Sequence, residues 1–247
     1  MYKGKWLSQI VFTLFLLLMI APAYAAVTAG VVLSIDGTIK AEGADNSIRV
    51  LTNGAEFYVG DTLFTLDKSK ASLKFVDNAL MTLRANTRYK IIAYWLDEKD
   101  PAKSSSVTEL LKGGLRTITG KIGKINRQGF AIKTPVASIG IRGTDLDLQL
   151  VGETLEIAFN KGAGSVKTDK FTIQLGEGSE SRFALVYPDG RIVRKEQRHE
   201  SMKDSEAPVD GVDSGDAASG QDDAGLATPT RRSLFNSSPG GGPVSAN

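Results

Sequence analysis

Short turn-forming motifs recur along the middle of the chain and limit what it can fold into. Asp36-Gly37 and Asn53-Gly54 are dipeptides that type I′ hairpins prefer, because both central residues of that turn take a positive φ. Asp77-Asn78, Gly113-Gly114 and Pro188-Asp189-Gly190 are further turn sequences. The segments between these turns are short, and none has the pattern of an amphipathic helix of three turns. We therefore predict an all-β domain.

Apolar residues recur at every second position in several of these segments, which is the period of a strand. The predicted strand faces are Val31/Leu33/Ile35, Tyr89/Ile91/Ala93/Trp95, Leu155/Ile157/Phe159 and Leu146/Leu148/Leu150. In the last segment Asp145, Asp147 and Gln149 occupy the alternate positions, which predicts one face in the core and one in solvent. The arrangement predicted from this spacing is a solenoid-like or roll-like stack of short strands with glycine-rich turns; a β-sandwich is the alternative.

One segment has a feature of a helix start. Ser106 and Glu109 have the spacing of a capping box, and Leu110 and Leu111 follow them. Gly113-Gly114 ends the segment after about one turn, which is too short for a stable isolated helix. A strand that runs into a glycine turn is the better prediction.

The two ends differ from the middle. Residues 1–25 have a basic start, an apolar run over Ile10–Ile20 and the small-residue pattern Ala23-Tyr24-Ala25, which is typical of an export signal cleaved between Ala25 and Ala26. An uncleaved membrane anchor is the alternative. Residues 201–247 are rich in Ser, Gly, Ala, Asp and Pro and carry seven acidic but three basic residues, which predicts a disordered tail. The organisation is then a signal over 1–25, a folded body over 26–200 and the tail; the mature chain is expected to be periplasmic or secreted, with no membrane span.

Composition excludes several kinds of chemistry. There is no cysteine, which excludes a disulfide framework, a thiolate metal site and a cysteine nucleophile. His199 is the only histidine, and it lies in the charged run Arg198-His199-Glu200 at the edge of the tail. No glycine-rich phosphate loop and no EF-hand spacing are present. The sequence therefore predicts no cofactor and no bound metal.

A series of motifs in the body resembles the FecR domain family, over about residues 30–180. The motifs are Gly60-Asp61, Leu73-Lys74-Phe75-Val76-Asp77, Leu83-x-x-Asn86-Thr87, Gly114-x-Arg116 and the run Phe130-Ala131-Ile132-Lys133-Thr134-Pro135-x-Ala137-x-Ile139-Gly140-Ile141-Arg142-Gly143-Thr144. The family is named for the periplasmic regulator of ferric-citrate uptake. The resemblance implies an all-β module outside the inner membrane that works in sensing and protein contact rather than in catalysis.

This chain departs from the founding regulators in two ways. Those proteins carry an amino-terminal anti-sigma segment before a membrane helix and a further small domain after the FecR domain. Here only the export signal precedes the body and the tail follows it. The resemblance therefore favours a stand-alone exported FecR-domain protein.

Residues of these motifs are predicted to be structural. The Asp61 carboxylate after Gly60 is expected to close a turn, and Thr134-Pro135 to end a strand. Gly140 and Gly143 flank Arg142, before Thr144, and allow a bend or a close backbone approach. We expect Arg142 to act as a structural latch, meaning an arginine that caps carbonyls or pairs with Asp61 or Asp145. Recognition of an anionic ligand by Arg142 is the alternative.

Charge is unevenly distributed in the body. The stretch from Leu110 to Thr144 contains no acidic residue but seven basic ones. Beside Arg142 these are Lys112, Arg116, Lys121, Lys124, Arg127 and Lys133. Such a basic patch attracts anionic partners. An anionic envelope polymer or an acidic protein face is expected rather than nucleic acid, because Phe130 is the only aromatic residue of the stretch and bases would have no stacking platform.

No catalytic constellation is evident from the sequence. Gly178-Ser179-Glu180-Ser181 lacks the second glycine of a nucleophile elbow. Asp145 and Asp147 would lie on one strand face about 7 Å apart, a separation within the range of glycosidase carboxylates. The predicted function is a non-enzymatic exported β-module that scaffolds or senses through protein or envelope-polymer contacts. The alternatives are a FecR-type signalling regulator of iron uptake and a β-solenoid enzyme acting on polysaccharide.

Overall fold

The structure, a computed structural model, describes residues 26–202, and the predicted signal and nearly all of the predicted tail lie outside the described residues. Sixteen strands follow one another, with a 3₁₀ turn at Pro101–Lys103 and one short helix, α1, at Lys121–Ile125. The first eight strands are β1 (Thr28–Asp36), β2 (Ile39–Glu42), β3 (Ile48–Val50), β4 (Glu56–Tyr58), β5 (Thr62–Thr65), β6 (Lys70–Phe75), β7 (Leu80–Leu83) and β8 (Arg88–Trp95). The second eight are β9 (Ser105–Lys112), β10 (Gly114–Ile118), β11 (Phe130–Lys133), β12 (Ser138–Val151), β13 (Thr154–Lys167), β14 (Thr172–Gly176), β15 (Phe183–Val186) and β16 (Ile192–Lys195).

All sixteen strands belong to one sheet that curls into an open half-barrel. The main path runs β3-β2-β5-β8-β9-β11-β12-β10-β7-β6-β1-β4, and β13 to β16 extend from β12. The all-β prediction is confirmed, and Ser106 and Glu109 lie in a strand as expected. Only β9 and β11 pair in parallel within the described chain, so the sheet is a mainly antiparallel roll.

The long strands β12 and β13 are shared by two arms of the sheet. The first part of β12 pairs with β11, and its second part, from Asp145 to Gln149, pairs with β10. In β13 the first part pairs with β15 and the second part pairs with β14. The register of the β12–β13 ladder shifts on both sides of Asp145, which marks a β-bulge where the two arms separate.

Three glycines lie at this bulge on adjacent strands, and we call them the glycine row: Gly143, Gly162 and Gly176. Their φ angles are +60°, +70° and +100°, a region that residues with a Cβ rarely adopt. A Cβ on Gly162 would collide with the carbonyl oxygen of Gly143, and a Cβ on Gly176 would collide with that of Gly162. The bend therefore requires glycine for backbone conformation at all three positions and for space at two of them.

The core lies on one face of the curled sheet, and bulges change which residues reach it. In β1 Val32 is buried, whereas Val31, Leu33 and Ile35 are only half-buried, so the predicted face is wrong there. In β8 the register shifts between Ile91 and Ala93.

The β8 shift reverses the expected positions of two aromatic side chains. Tyr94 is buried, and Trp95 is 46% exposed although it was predicted to share the face of Tyr89 and Ile91. A single extra residue in a strand moves every later side chain to the opposite face. The alternation predicted for Leu155, Ile157 and Phe159 places all three in the core as expected.

The predicted type I′ turns also differ. Gly37 and Gly54 have positive φ, but Asp36 and Asn53 do not, so neither turn has the two positive φ angles of that type. Asn78, by contrast, takes φ +63° in the predicted Asp77-Asn78 turn. The sequence therefore predicts the positions of these turns correctly, but the predicted type I′ is wrong.

Asp77 connects the sheet to α1. One carboxylate oxygen of Asp77 accepts hydrogen bonds from the Ala79 amide at 3.0 Å and from the Tyr94 hydroxyl at 2.6 Å, and the other accepts from the Ile122 amide at 3.1 Å. Its backbone carbonyl accepts from the Lys121 amide at 2.8 Å. Burial of Tyr94, with the Asp77 charge and hydrogen bond beside it, raises the pKa of Tyr94 well above its usual value. One buried carboxylate thus fixes a turn, a strand and a helix start.

We expect Asp77→Ala to be strongly destabilising, because it leaves buried donors of three segments without an acceptor. The loss in the free energy of unfolding should be about 3 kcal/mol, measured by urea denaturation. Asp36→Ala is the matched control, because Asp36 is exposed and should change stability little. Equal stabilities of the two variants would contradict the role of Asp77.

The glycine row allows a second prediction. Gly143→Ala should cost about 1 kcal/mol from positive φ alone, since a Cβ there has no atom within 4 Å. Gly162→Ala should cost about 3 kcal/mol or more, since steric collision adds to the same backbone strain. Chemical denaturation of both variants measures the difference, and a Gly162 variant no less stable than the Gly143 variant would show that the bend does not need close approach.

Candidate functional site

The face of β12 and β13 opposite the core carries charged residues that are nevertheless buried. Asp147 is completely buried, and Asp145 and Glu156 are nearly so. The alternation in β12 predicts that Asp145 and Asp147 lie in solvent, and this prediction is wrong. Burial of a carboxylate is costly unless it is paired and hydrogen-bonded, and each of these groups has such partners.

Asp147 is held between two arginines from distant parts of the chain. Arg84, which follows β7, bonds one carboxylate oxygen with its Nη2 and the Leu148 carbonyl with its Nη1 at 3.1 Å. Arg198, beyond β16, donates to the other oxygen of Asp147 at 3.1 Å and also bonds Asn160. The two arginines therefore connect the segment after β7 with the segment after β16 through one carboxylate.

Asp145 forms a second pair beside the first. Arg116 of β10 contacts both carboxylate oxygens, at 2.9 and 2.7 Å, and the Asn160 amide donates at 3.0 Å. Burial favours the neutral acid, but the hydrogen bonds from Arg116 and Asn160 and the positive charges of Arg116 and Lys161 outweigh it, so the pKa of Asp145 is lowered. Asp145 is thus held in its charged form.

The chain after β16 crosses this outer face, and we call residues 196–202 the strap. His199 lies 2.7 Å from the Glu156 carboxylate, and the Ser201 hydroxyl donates to the same carboxylate. Met202 is buried, and its carbonyl accepts from Arg198 at 3.2 Å. Met202 lies beyond the boundary that the sequence predicted at residue 200. The strap is what covers Asp147 and Glu156.

A groove of about 870 Å³ lies beside the strap, and we call it the arginine groove. Its polar lining comes from Arg116, Asn160, Arg182, Gln197 and Arg198. Arg182 donates to the Asn160 carbonyl at 2.9 Å and lies 3.6 Å from Glu177, and its side chain is 42% exposed.

Three arginines line the arginine groove, and each of them is paired with a carboxylate. Arg116 pairs with Asp145, Arg182 lies 3.6 Å from Glu177, and Arg198 pairs with Asp147. Arginine offers five donors in a planar fork, so a guanidinium that holds one carboxylate can still donate to a second acceptor.

The predicted motif residues lie in three separate places. Gly60 has φ +96° and precedes Asp61, whose carboxylate accepts from the Tyr58 amide at 2.8 Å and from Arg49 at 2.6 Å. Thr134 follows β11, and its hydroxyl accepts from the Ala137 amide at 3.0 Å across the turn that contains Pro135.

Thr144 is bonded to Thr119 in both directions. The Thr144 amide donates to the Thr119 hydroxyl at 2.9 Å, and the Thr119 amide donates to the Thr144 carbonyl at 3.0 Å. Gly140 lies against Ser165 of β13, and a Cβ added to Gly140 would come close to the serine hydroxyl. These contacts fasten the two sides of the bulge.

The prediction that Arg142 is a structural latch is wrong. Asp61 pairs with Arg49 and Asp145 pairs with Arg116, so both expected carboxylates have other partners. Arg142 is exposed and makes no hydrogen bond or ion pair with any residue between 26 and 202. Arg142 follows the buried Ile141 in β12, so its side chain lies on the exposed face of the strand.

The predicted basic patch is divided by the fold. Arg116 lies in the buried cluster, and Lys121 pairs with Glu98 at 3.1 Å. Lys133 is aligned with Glu109 of β9 in the parallel ladder, and Lys112 is the last residue of that strand. Lys124 in α1 and Arg127 after it remain exposed neighbours. The seven charges therefore do not form one surface.

Asp145 and Asp147 do not have the properties of a glycosidase pair. Asp147 is buried between arginines, and Asp145 has a lowered pKa, whereas the general acid of that reaction needs a raised one. Among residues 26–202 no three His, Asp or Glu side chains are grouped to hold a metal ion.

Within the same residues, no helix has the length and apolar character needed to cross a bilayer.

Sequence reasoning missed most of the outer-face cluster. Arg84 and Arg198 lie 63 and 51 residues from Asp147, so their pairing has no local signal. The signal that was present is the pair of acidic side chains at alternate positions in β12, Asp145 and Asp147, which the sequence analysis interprets as a solvent face.

The Asp145 pair makes a prediction about pH. Because the pKa of Asp145 is lowered on folding, its charged form stabilises the native state above the usual value of 3.8, and this stabilisation is lost as the pH falls through the lower folded value. Asp145→Asn should therefore reduce the free energy of unfolding at pH 7 by about 2 kcal/mol. The difference from wild type should shrink below pH 3.8 in urea denaturation curves.

Asp36→Asn is the control for the same series, because Asp36 is exposed and should leave stability unchanged at both pH values. A stability difference for Asp145→Asn that is the same at pH 7 and at low pH would contradict the charge-based account.

One protein family and several solved structures are similar to parts of this chain. The model of the FecR protein family matches residues 61–167, from Asp61 through Gly143 and Gly162 to the end of β13. No protein with a curated description is significantly similar to the chain.

Solved structures give partial likenesses. Two structures of a candidate anti-sigma factor from Parabacteroides distasonis are each 14% identical, with a TM-score of 0.43, and the match covers 57% of this chain and 61% of that one. The chain thus spans about three fifths of the length of those relatives. A cell surface anchoring domain is 21% identical, with a TM-score of 0.24, over 25% of this chain and 80% of that one. Likenesses of this extent carry no argument about function, and the assignment depends on the family model: residues 61–167 of this chain are a FecR domain.

Proposed function

We propose that this chain is a non-enzymatic signalling regulator of the FecR type that acts through contact with a partner protein. The observation that carries the proposal is the FecR match over residues 61–167. The charged cluster of the outer face supports it, because its carboxylates are engaged by arginines and shape a surface rather than a reaction centre.

Arg142 is the residue that we assign to recognition. It belongs to the most specific of the FecR-like motifs, yet it supports no other part of the described structure. Its partner in the β13 ladder is Ala163, and Gly140 and Gly143 flank it in β12, so the guanidinium stands above small side chains. A protein surface can approach such a group closely, and a carboxylate there can take two parallel hydrogen bonds.

The place of action that we propose is outside the cytoplasm. The basic and apolar start of the sequence, followed by Ala23-Tyr24-Ala25, supports export. A contact with envelope polymer through the basic patch is less favoured than a protein contact, because the patch is divided between separate surfaces and Arg116 is engaged with Asp145.

Transcript profiling in the native organism tests this function. We expect deletion of the gene to change a defined set of transcripts and the full wild-type chain to restore it. Arg142→Ala should fail to restore the set although the protein folds, because the exposed guanidinium contributes to contact rather than to stability. Profiles with and without iron show whether the set includes iron-uptake genes.

Arg127→Ala is the matched control, because Arg127 is also an exposed arginine of the same basic stretch. It should restore the transcripts like wild type, with equal protein levels and equal thermal midpoints for both variants. Unchanged transcripts in the deletion strain would overturn the regulatory function. Full restoration by Arg142→Ala would overturn the role of Arg142 alone.

A further inference from the structure

One arm of the sheet has an outer face that no other part of residues 26–202 covers. Its strands are β8, β9, β11, β12, β13 and β14. Their registers align side chains in rows across the sheet, and the middle row consists of Ala93, Val107, Ala131, Gly140, Ser165 and Gln174. Every residue of this row is at least partly exposed, whereas Ile91 and Ile139 on the other side of the same strands are buried. We call this surface the open face, and the usual spacing of strands makes it about 24 Å wide.

Two large side chains stand at the same end of the middle row. Trp95 lies two positions after Ala93 in β8, and Arg142 lies two positions after Gly140 in β12, so alternation places both on the open face. Three strand spacings separate them, which is about 14 Å. The indole N–H of Trp95 donates to the Lys103 carbonyl at 2.6 Å, which fixes the exposed ring. Tryptophan and arginine are residue types that often carry the binding energy of a protein interface.

The opposite end of the open face carries most of its charge. The row at that end contains Lys90, Glu109, Lys133 and Lys167. Together with Arg142, the open face has four basic residues and one acidic residue. None of the four basic side chains forms an ion pair with another residue between 26 and 202, so their positive charge is available to a partner.

Carboxylates at the rim of the open face do not cancel this charge. Four of them have basic partners of their own, in the pairs Glu42–Arg88, Glu98–Lys121, Asp100–Lys103 and Glu177–Arg182. Asp97 and Asp169, the other acidic residues of the rim, are matched in number by Arg127 and Lys170. The net charge of the open face therefore stays positive.

We propose that the open face is a docking surface for the acidic face of a partner protein. A second copy of this chain does not fit, because two open faces would bring like charges together. An envelope polysaccharide fits less well than a protein, since Ala93, Val107 and Ala131 offer sugar hydroxyls no hydrogen-bonding side chain. The proposal rests on the proposed function in requiring a partner protein, and it adds the surface and the charge by which that partner is recognised.

The chemistry of the open face defines what the partner presents. The small side chains of the middle row let apolar groups of the partner approach the sheet closely beside Trp95. Carboxylates of the partner then reach Arg142 at one end, where two parallel hydrogen bonds can form, and the lysines at the other end. Charge pairs at both ends fix the orientation of the partner, and the apolar contact lies between them.

Site-specific photocrosslinking in the native organism tests the docking surface. A photoreactive amino acid replaces Ala131, at the centre of the open face, in the full chain. The matched control replaces Ser72 of β6, which is also half-buried but lies on the outer face of the other arm. We expect the probe at position 131 to cross-link one protein through a peptide with an excess of Asp and Glu, identified by mass spectrometry. The probe at position 72 should not cross-link that protein.

A variant of the exposed indole shows whether the cross-link depends on Trp95. Trp95→Ala should reduce the yield from position 131 about tenfold, as expected when an interface tryptophan is truncated. Phe171→Ala is the matched control, because Phe171 is 54% exposed but alternation from Thr172 places it on the other side of the sheet. It should leave the yield unchanged.

A second variant changes the charge of the open face without touching an ion pair of the domain. Lys133→Glu combined with Lys167→Glu should also reduce the yield about tenfold, because the partner's carboxylates then meet like charge. Lys124→Glu combined with Lys195→Glu is the matched control, since both lysines are exposed and lie outside the six strands. All four variants should keep the thermal midpoint of the wild type within a few degrees.

The outcomes separate this proposal from the regulatory function. Equal cross-linking from positions 131 and 72, a cross-linked peptide without an excess of acidic residues, or a yield that neither variant reduces would overturn the docking surface. The regulatory function stands in that case if deletion of the gene still changes transcripts. If deletion changes no transcript while the cross-link behaves as expected, the regulatory function fails and the docking surface stands.

Discussion

The bend shared by β12 and β13 is the constraint on which the rest of the structure depends. Both strands contribute one half to each arm of the sheet, so the arms can separate only where these strands turn together. Three adjacent strands approach closely at that point, and one residue of each takes a positive φ. Glycine alone satisfies both requirements. The Thr119–Thr144 hydrogen bonds then fasten β10 beside the bend. The most specific part of the FecR-like sequence therefore contributes one of the three glycines of this bend, Gly143.

The buried charge on the outer face depends on arginines from distant parts of the chain. Burial of Asp147 would oppose folding without compensation, and Arg84 and Arg198 provide that compensation. Arg198 also lines the groove beside the strap, together with Arg116 and Arg182. The arginine that helps to hold the strap in place is therefore also part of the surface of the groove.

The sequence predicted the class of fold because turn residues and alternation are local properties. Alternation failed where the chain departs from a regular strand: one extra residue in β8 exchanges Tyr94 and Trp95 between core and surface. It also failed in β12, where the polar positions are covered by a strap whose contacts cross 51 residues of sequence. Arg142 was assigned to the wrong role for a related reason, since Asp61 and Asp145 had closer arginines that no local pattern reveals.

The position of Arg198 in the chain has a consequence for the order of folding. The β12–β13 hairpin closes through the short Gly152-Glu153 connection, so its formation costs little loop entropy, and Arg84 has already been synthesised when Asp147 emerges. Arg198 is synthesised after both of these residues, and until then Asp147 lacks this guanidinium partner. We expect the outer face to stay hydrated while the core face is already packed, and docking of the strap to be the final event in the maturation of the domain.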